Sequence, residues 1–131
     1  MTREAHNPDG LVDAPSIGYS HAVVAEGTLF TSGQVGWDAD FQVAGPDVES
    51  QTRQALANVE TLLAEVDLTL EDVAKVTAHV VDLPANREDF FAAWADAFPE
   101  PPQPCLTLLG PHRLAQEDLL VELEVEAPLP E

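Results

Sequence analysis

The chain is poor in several things at once. Its 131 residues include one cysteine, one tyrosine, one methionine and five basic residues. A lone Cys105 makes no internal disulfide, so the fold must rest on its core; such usage fits a reducing compartment, and a cytoplasmic protein is expected. There is no second cysteine, and His6, His21, His79 and His112 show no ligand-like spacing, so no metal site is expected. No apolar run approaches the ~20 residues of a membrane-spanning helix. The opening MTREAHNPDGLVDA has neither an apolar core nor a cleavage pattern, so neither a leader nor a membrane partner is expected. No glycine-rich phosphate loop and no G-x-S-x-G elbow occurs.

Bases are the sharpest shortage. Arg3, Arg53, Lys75, Arg87 and Arg113 stand against 24 acids, for a formal charge of −19. A surface of that sign repels phosphate backbones and offers no basic patch, which argues against nucleic acid as a partner. The acids are spread along the chain and not gathered in a tail. A dispersed acidic surface with a single lysine is what a halophilic protein would carry, because concentrated salt screens its self-repulsion.

What is present is a foldable chain, 45% hydrophobic and of single-domain length. Residues 1–15 are polar and turn-rich and are expected to form a loosely held arm before one domain over 16–131. His21–Ala25 and Thr28–Ser32, joined at Glu26-Gly27, have the pattern of a β-hairpin. Phe41-Gln42-Val43 is expected as a further short strand. From Asp47 to Val66, Val48, Thr52, Ala55, Leu56, Val59, Leu62, Leu63 and Val66 recur at helical spacing, with Glu49, Arg53, Asn58, Glu60 and Glu65 largely opposite. Asp47 is placed to cap that helix, and Thr69-Leu70-Glu71-Asp72 fits a capping box. A strand over 76–82, a second helix from Asn86 to Phe98 capped by Asn86, a strand from Cys105 and a last strand over 119–127 complete the order.

This arrangement predicts an α+β fold, a mixed sheet with two helices on one face. The strands carry apolar residues on much of both faces, so a second copy of the chain is expected to cover the other face. Clefts between copies are common ligand sites.

The last strand, Val121-Glu122-Leu123-Glu124-Val125-Glu126, puts three glutamates on one face. Two readings stay open: a solvated face of an acidic protein, or a carboxylate that orients or deprotonates a water. His79 is read as a packed or interface residue. Cys105 is read as a small buried hydrophobe, not a nucleophile.

Several stretches in this order resemble the RidA/YjgF family of enamine/imine deaminases: Gly18-Tyr19-Ser20-His21-Ala22, Phe30-Thr31-Ser32-Gly33-Gln34, Gln51-Thr52-Arg53-Gln54-Ala55-Leu56-Ala57-Asn58, Lys75–Leu83 and Val121-Glu122-Leu123-Glu124. The resemblance implies a chorismate-mutase-like fold, a homotrimer with a small-molecule cleft at each subunit interface, and hydrolysis of 2-imino acids without a cofactor. It implies Glu122 as the catalytic carboxylate and Tyr19, Ser32, Gly33, Gln103 and Cys105 as substrate-binding positions. Cys105 matches a position two after the arginine that grips the substrate carboxylate in that family, and the register leaves Gln103 where the arginine would stand. A neutral amide cannot replace a bidentate guanidinium. The expectation is therefore a divergent member without ordinary deaminase activity. The alternatives are an active hydrolase with a rearranged pocket, in which Arg113 or another base supplies the charge, and a non-enzymatic partner-binding protein.

Overall fold

Strand β7 (Val121–Pro128) is the spine of the protein, because two sets of strands pair with its opposite edges. The structure, a computed structural model, describes residues 2–131. In chain order the elements are β1 (Glu4–His6), β2 (Ala22–Ala25), β3 (Thr28–Thr31), β4 (Gln34–Val35), α1 (Val48–Ala64), a 3-10 turn (Leu70–Asp72), β5 (Lys75–Val80), α2 (Leu83–Ala97), β6 (Cys105–Leu109) and β7. The sheet order is β1-β2-β3-β7-β5-β6, with β4 also paired to β7. Only β5 and β6 run parallel, and α2 is the crossover that such a pair requires. This is the expected α+β architecture with a mixed sheet.

Local chemistry explains most boundaries. Glu26 and Gly27 take φ of 53° and 74°, the left-handed pair that a two-residue hairpin needs. The Asp47 carboxylate accepts from the Ser50 N–H and hydroxyl, each at 2.9 Å, and caps α1 as expected. Those bonds hold its carboxyl below the usual range. Thr69 and Asp72 form the expected capping box.

Three local expectations are corrected. Helix α2 begins at Leu83, not Asn86: Pro84 suits a first turn, and the Asn86 amide donates back to the Val81 carbonyl at 2.7 Å instead of capping. Phe41-Gln42-Val43 is not a strand; only Val43 bridges Trp37. Asp38 captures that loop by accepting from the Asp40 and Gln42 amides at 2.9 and 3.0 Å, which competes with sheet pairing. Of the expected loose arm, Met1 lies outside the described residues, and the rest is held in place. Strand β1 pairs with β2, and Leu11, Val12 and Ala14 are buried.

The core lies between the helices and one sheet face. It unites Val59, Leu62 and Leu63 of α1 with Phe90 and Trp94 of α2 and Val76, Val121, Leu123 and Val125 of the central strands. The other face carries Lys75, Thr77 and His79 beside Glu126, Glu124 and Glu122, with Phe30 exposed beside Glu126 and Leu109 exposed on the edge strand. Its centre is thus more polar than expected. Cys105 lies exposed on β6, correcting the buried reading: level with Lys75 and Glu126, it faces the open side of the sheet.

Leu123, fully buried in the central strand, tests this core. Leu123→Ala should cost about 2–5 kcal/mol, read as an earlier midpoint in chemical denaturation.

Candidate functional site

A cavity of about 250 Å³ lies where the N-terminal segment, β4 and the start of β7 converge. Leu11, Val12, Ile17, Val35 and Leu119 supply apolar wall, and Tyr19, His21 and Trp37 supply rings. Gly33 and Glu122 meet at its base. A Cβ placed on Gly33 would lie 2.4 Å from Glu122 Cδ, so the carboxyl packs directly on the glycine and no larger residue fits without displacement.

Glu122 is half-buried, with its side chain open to the cavity. Burial pushes its carboxyl above the usual range; Glu124 adds to the rise, while His79 opposes it. His79 lies opposite Glu122 across the β5–β7 pair, but its Nε2 approaches Glu124 Oε1, at 3.7 Å. Among the described residues no donor hydrogen-bonds to the Glu122 oxygens. Burial also raises the Tyr19 phenol, with the Glu122 carboxylate as the second cause. The Tyr19 and His21 rings meet edge to face with centroids 5.9 Å apart.

Buried polar side chains hold this arrangement in place. His21 Nε2 lies 2.7 Å from the Val12 carbonyl, and its Nδ1 lies 3.2 Å from Gln34 Nε2. A carbonyl only accepts and an amide nitrogen only donates, so the ring is the Nε2–H tautomer. The Asn58 amide donates to the Val35 and Trp37 carbonyls at 3.0 and 2.9 Å. Gln51 donates to the Gly45 and Asp118 carbonyls, each at 2.9 Å, and accepts from the Leu120 N–H at 2.8 Å. Asn58 was expected on the solvent side of α1; it is buried, because it faces β4 and the residues after it, whose carbonyls accept from its amide.

The structure divides the sequence-derived candidates. Tyr19, Gly33 and Glu122 line one cavity. Ser32 lines an adjoining open groove with Arg3, Tyr19 and Phe30, and its hydroxyl donates to the Ser20 carbonyl at 2.6 Å. Gln103 and Cys105 lie elsewhere. Cys105 is level with Lys75 and Glu126, whereas Glu122 is level with His79 and Leu109. Two strands across and four residues along separate Cys105 from Glu122, about 16 Å at sheet spacings of ~4.8 and ~3.3 Å. Gln103 borders a second groove of about 330 Å³ with Leu70, Phe98 and the prolines 99, 101, 102 and 104. Arg113 does not turn into the cavity: its guanidinium donates to the carbonyls of Leu114 and Ala115 in its own loop. Among the described residues, no cluster of three or more His, Cys, Asp or Glu is arranged to hold a metal ion. Among the described residues no helix is long and apolar enough to cross a membrane.

Residues 12–128 match the family model described as Endoribonuclease L-PSP. The RutC family protein YjgH of Escherichia coli is 35% identical over 113 residues, 86% of this chain and 84% of that protein. The solved structure of protein YJGH superposes with a TM-score of 0.89 over 98% of both chains at 33% identity. The RutC family protein slr0709 of Synechocystis is 34% identical over 122 residues, covering 89% of this chain and 90% of that protein. The YyfA structure from Yersinia pestis, described as a conserved Rid family protein of unknown function, gives a TM-score of 0.89 at 26% identity over 98% of this chain and all of that one.

The chain belongs to the RidA/YjgF family.

Within this Rid protein, the residues that reading the sequence missed are those that build the cavity without touching its chemistry. Gln51 was visible only as part of a motif, and His21 only as a strand residue. A signal was present for Asn58: it lies seven residues after Gln51, so both amides fall on one helical face beside Thr52, Ala55 and Val59.

Two predictions follow from Glu122. The folded protein holds this proton more tightly than the unfolded chain does. Its contribution to stability is therefore complete below the unfolded carboxylate pKa and is lost as pH rises through the raised folded value. Glu122→Gln should lack that loss and gain on the wild type across the window, read by melting temperatures in concentrated salt. Tyr19 is the only tyrosine, so an ultraviolet titration reads its phenol alone. Glu122→Gln should lower the Tyr19 pKa but leave it above the ordinary value, because burial, the larger cause, persists.

Proposed function

We propose that this Rid-family protein assembles as a homotrimer in the cytoplasm and binds a small molecule in clefts between its copies, without the ordinary hydrolysis of 2-imino acids. The carrying observation is that, among the described residues, neither part of the site is lined by a lysine or an arginine. The cavity holding Tyr19, Gly33 and Glu122 has Glu122 as its one carboxyl, beside the Tyr19 phenol and the His21 imidazole. The groove holding Gln103 is bordered by Glu71 and Glu100, and no base lines it. The two parts are too far apart in one chain to share a ligand, and a neighbouring copy is the economical way to join them.

In this reading Gln103 stands where the family's carboxylate-gripping arginine would be. Hydrogen bonds between charged partners contribute ~1.5–3 kcal/mol, so their loss weakens an anionic substrate by about 10–100-fold. The Glu122 carboxylate weakens it further. Arg113, engaged with its own loop carbonyls, is a poor substitute. Cleavage of nucleic acid, suggested by the matching family's description, has no support in a chain of charge −19.

A second reading has one observation in its favour. A half-buried carboxyl held above its usual range, with no donor of its own, is suited to orient a water. Glu122 would then be the catalytic group, and Tyr19, Ser32, Gly33 and Cys105 the binding positions, of a hydrolase for a less acidic substrate.

Hydrolysis of 2-iminopropionate, generated from an amino acid in concentrated salt, separates the readings. The expected rate is background, and Gln103→Arg should raise it at least about tenfold. Wild-type hydrolysis well above background would overturn the proposal, and its disappearance in Arg113→Ala would assign the charge to that loop. A monomeric mass in solution would remove the intersubunit cleft.

A further inference from the structure

The charge and lining of the Glu122 cavity identify the class of ligand it takes. Building on the cleft proposed above, we infer that the site binds a small organic cation, a protonated amine whose ammonium pairs with Glu122 while its apolar part lies against Trp37 and Tyr19.

Three independent observations support this. The Glu122 carboxylate opens into the cavity, and among the described residues no donor satisfies it. An acceptor-only group in a half-buried, largely apolar site calls for a donor of opposite charge, and an ammonium provides three N–H groups. The walls supply rings: Tyr19 and Trp37 flank the site, and faces of tyrosine and tryptophan attract cations. Trp37 is steadied by Phe41, edge to face at 5.0 Å, and its carbonyl is anchored by Asn58. The surroundings then exclude the opposite charge. The whole chain carries −19, a field that draws cations and repels anions, and in the proposed assembly a neighbour's Gln103 groove would add Glu71 and Glu100.

The bases of the chain are mostly engaged elsewhere. Arg53 pairs with Glu49 and Asp96, Arg87 lies over the Phe91 ring, Lys75 bonds Thr107, and Arg113 bonds its own loop. Arg3 is the exception, bordering the open groove on the far side of Tyr19. It is the group that would make an anion the preferred ligand instead, so the test must separate the two.

Benzylamine, benzyl alcohol and benzoate present one ring with a positive, neutral or negative head. Their affinities are compared by calorimetric titration in 1 M KCl, where a Debye length of about 3 Å removes the long-range pull of the surface charge. Benzylamine should bind about tenfold or more tighter than benzyl alcohol, with benzoate weakest. Glu122→Gln should erase the preference for the amine, weakening benzylamine far more than benzyl alcohol. Glu124→Gln, altered on the same strand face but outside the cavity, should retain the preference. Equal or tighter binding of benzoate overturns the inference, as does an amine preference that survives Glu122→Gln or vanishes equally in Glu124→Gln. If benzoate is preferred and Arg3→Ala abolishes that preference, the site is an anion site built on Arg3. Binding of the neutral or anionic probe without an amine preference defeats this inference and leaves the cleft standing; failure of all three to bind defeats both.

Discussion

The Gln51 side chain is the constraint on which the rest of the structure depends. It is fully buried in α1, yet all of its strong hydrogen-bonding groups are used: its amide nitrogen serves Gly45 and Asp118, and its oxygen serves Leu120. One side chain thereby joins the helix to the loop before it and to the segment that leads into β7. Leaving any of these partners unpaired in the interior would cost about 1–3 kcal/mol. The contact is close enough to dictate a second residue. A Cβ at Gly36 would come within 2.8 Å of Gln51 Cβ, so the chain passes there as glycine. Asn58, two turns on, does the same for the carbonyls of Val35 and Trp37. Between them the two amides fix both sides of the cavity, and Glu122 takes its position two residues after the Leu120 anchor.

Much of this was legible in the sequence, because hydrophobic periodicity reports which face of an element meets the core. The apolar stripe of α1, the hairpin at Glu26-Gly27 and the alternation of β7 each follow from a local pattern that the fold does not contradict. The departures share a cause. Where a polar side chain binds backbone, composition misleads: Asn58 reads as surface and is core, and Asn86 reads as a cap but ties to Val81. Where a short segment gains its order from a distant one, local polarity misleads as well. The N-terminal residues look mobile, yet β2 supplies strand partners and Val12 supplies the carbonyl that orients His21.

The candidate site was legible in its parts more than in its geometry. Tyr19, Gly33 and Glu122 come together as a cavity, while Gln103 and Cys105 fall on the far side of two strands. No pattern along the chain encodes that separation, since it arises from the order β7-β5-β6 and the parallel register of β5 with β6. The exposure of Cys105 comes from facing: an apolar run reads as buried throughout, yet alternation turns Cys105, Thr107 and Leu109 to the open side.

Register also explains why the carboxylate at the cavity is so tightly placed. In β7 the residues alternate between the core and the open face, with Val121, Leu123 and Val125 inward and Glu122, Glu124 and Glu126 outward. A slip of one residue would carry three carboxylates into the core and three apolar side chains out of it, a change no local adjustment could offset. The open-face alternation thus does two jobs. It supplies the dispersed negative charge of the surface, and at the one position where Gly33 closes over the strand it converts a surface glutamate into a half-buried one. Glu124 and Glu126 have the same chemistry and the same facing, but both are exposed. What distinguishes Glu122 is therefore the glycine its carboxyl packs against, not its own identity.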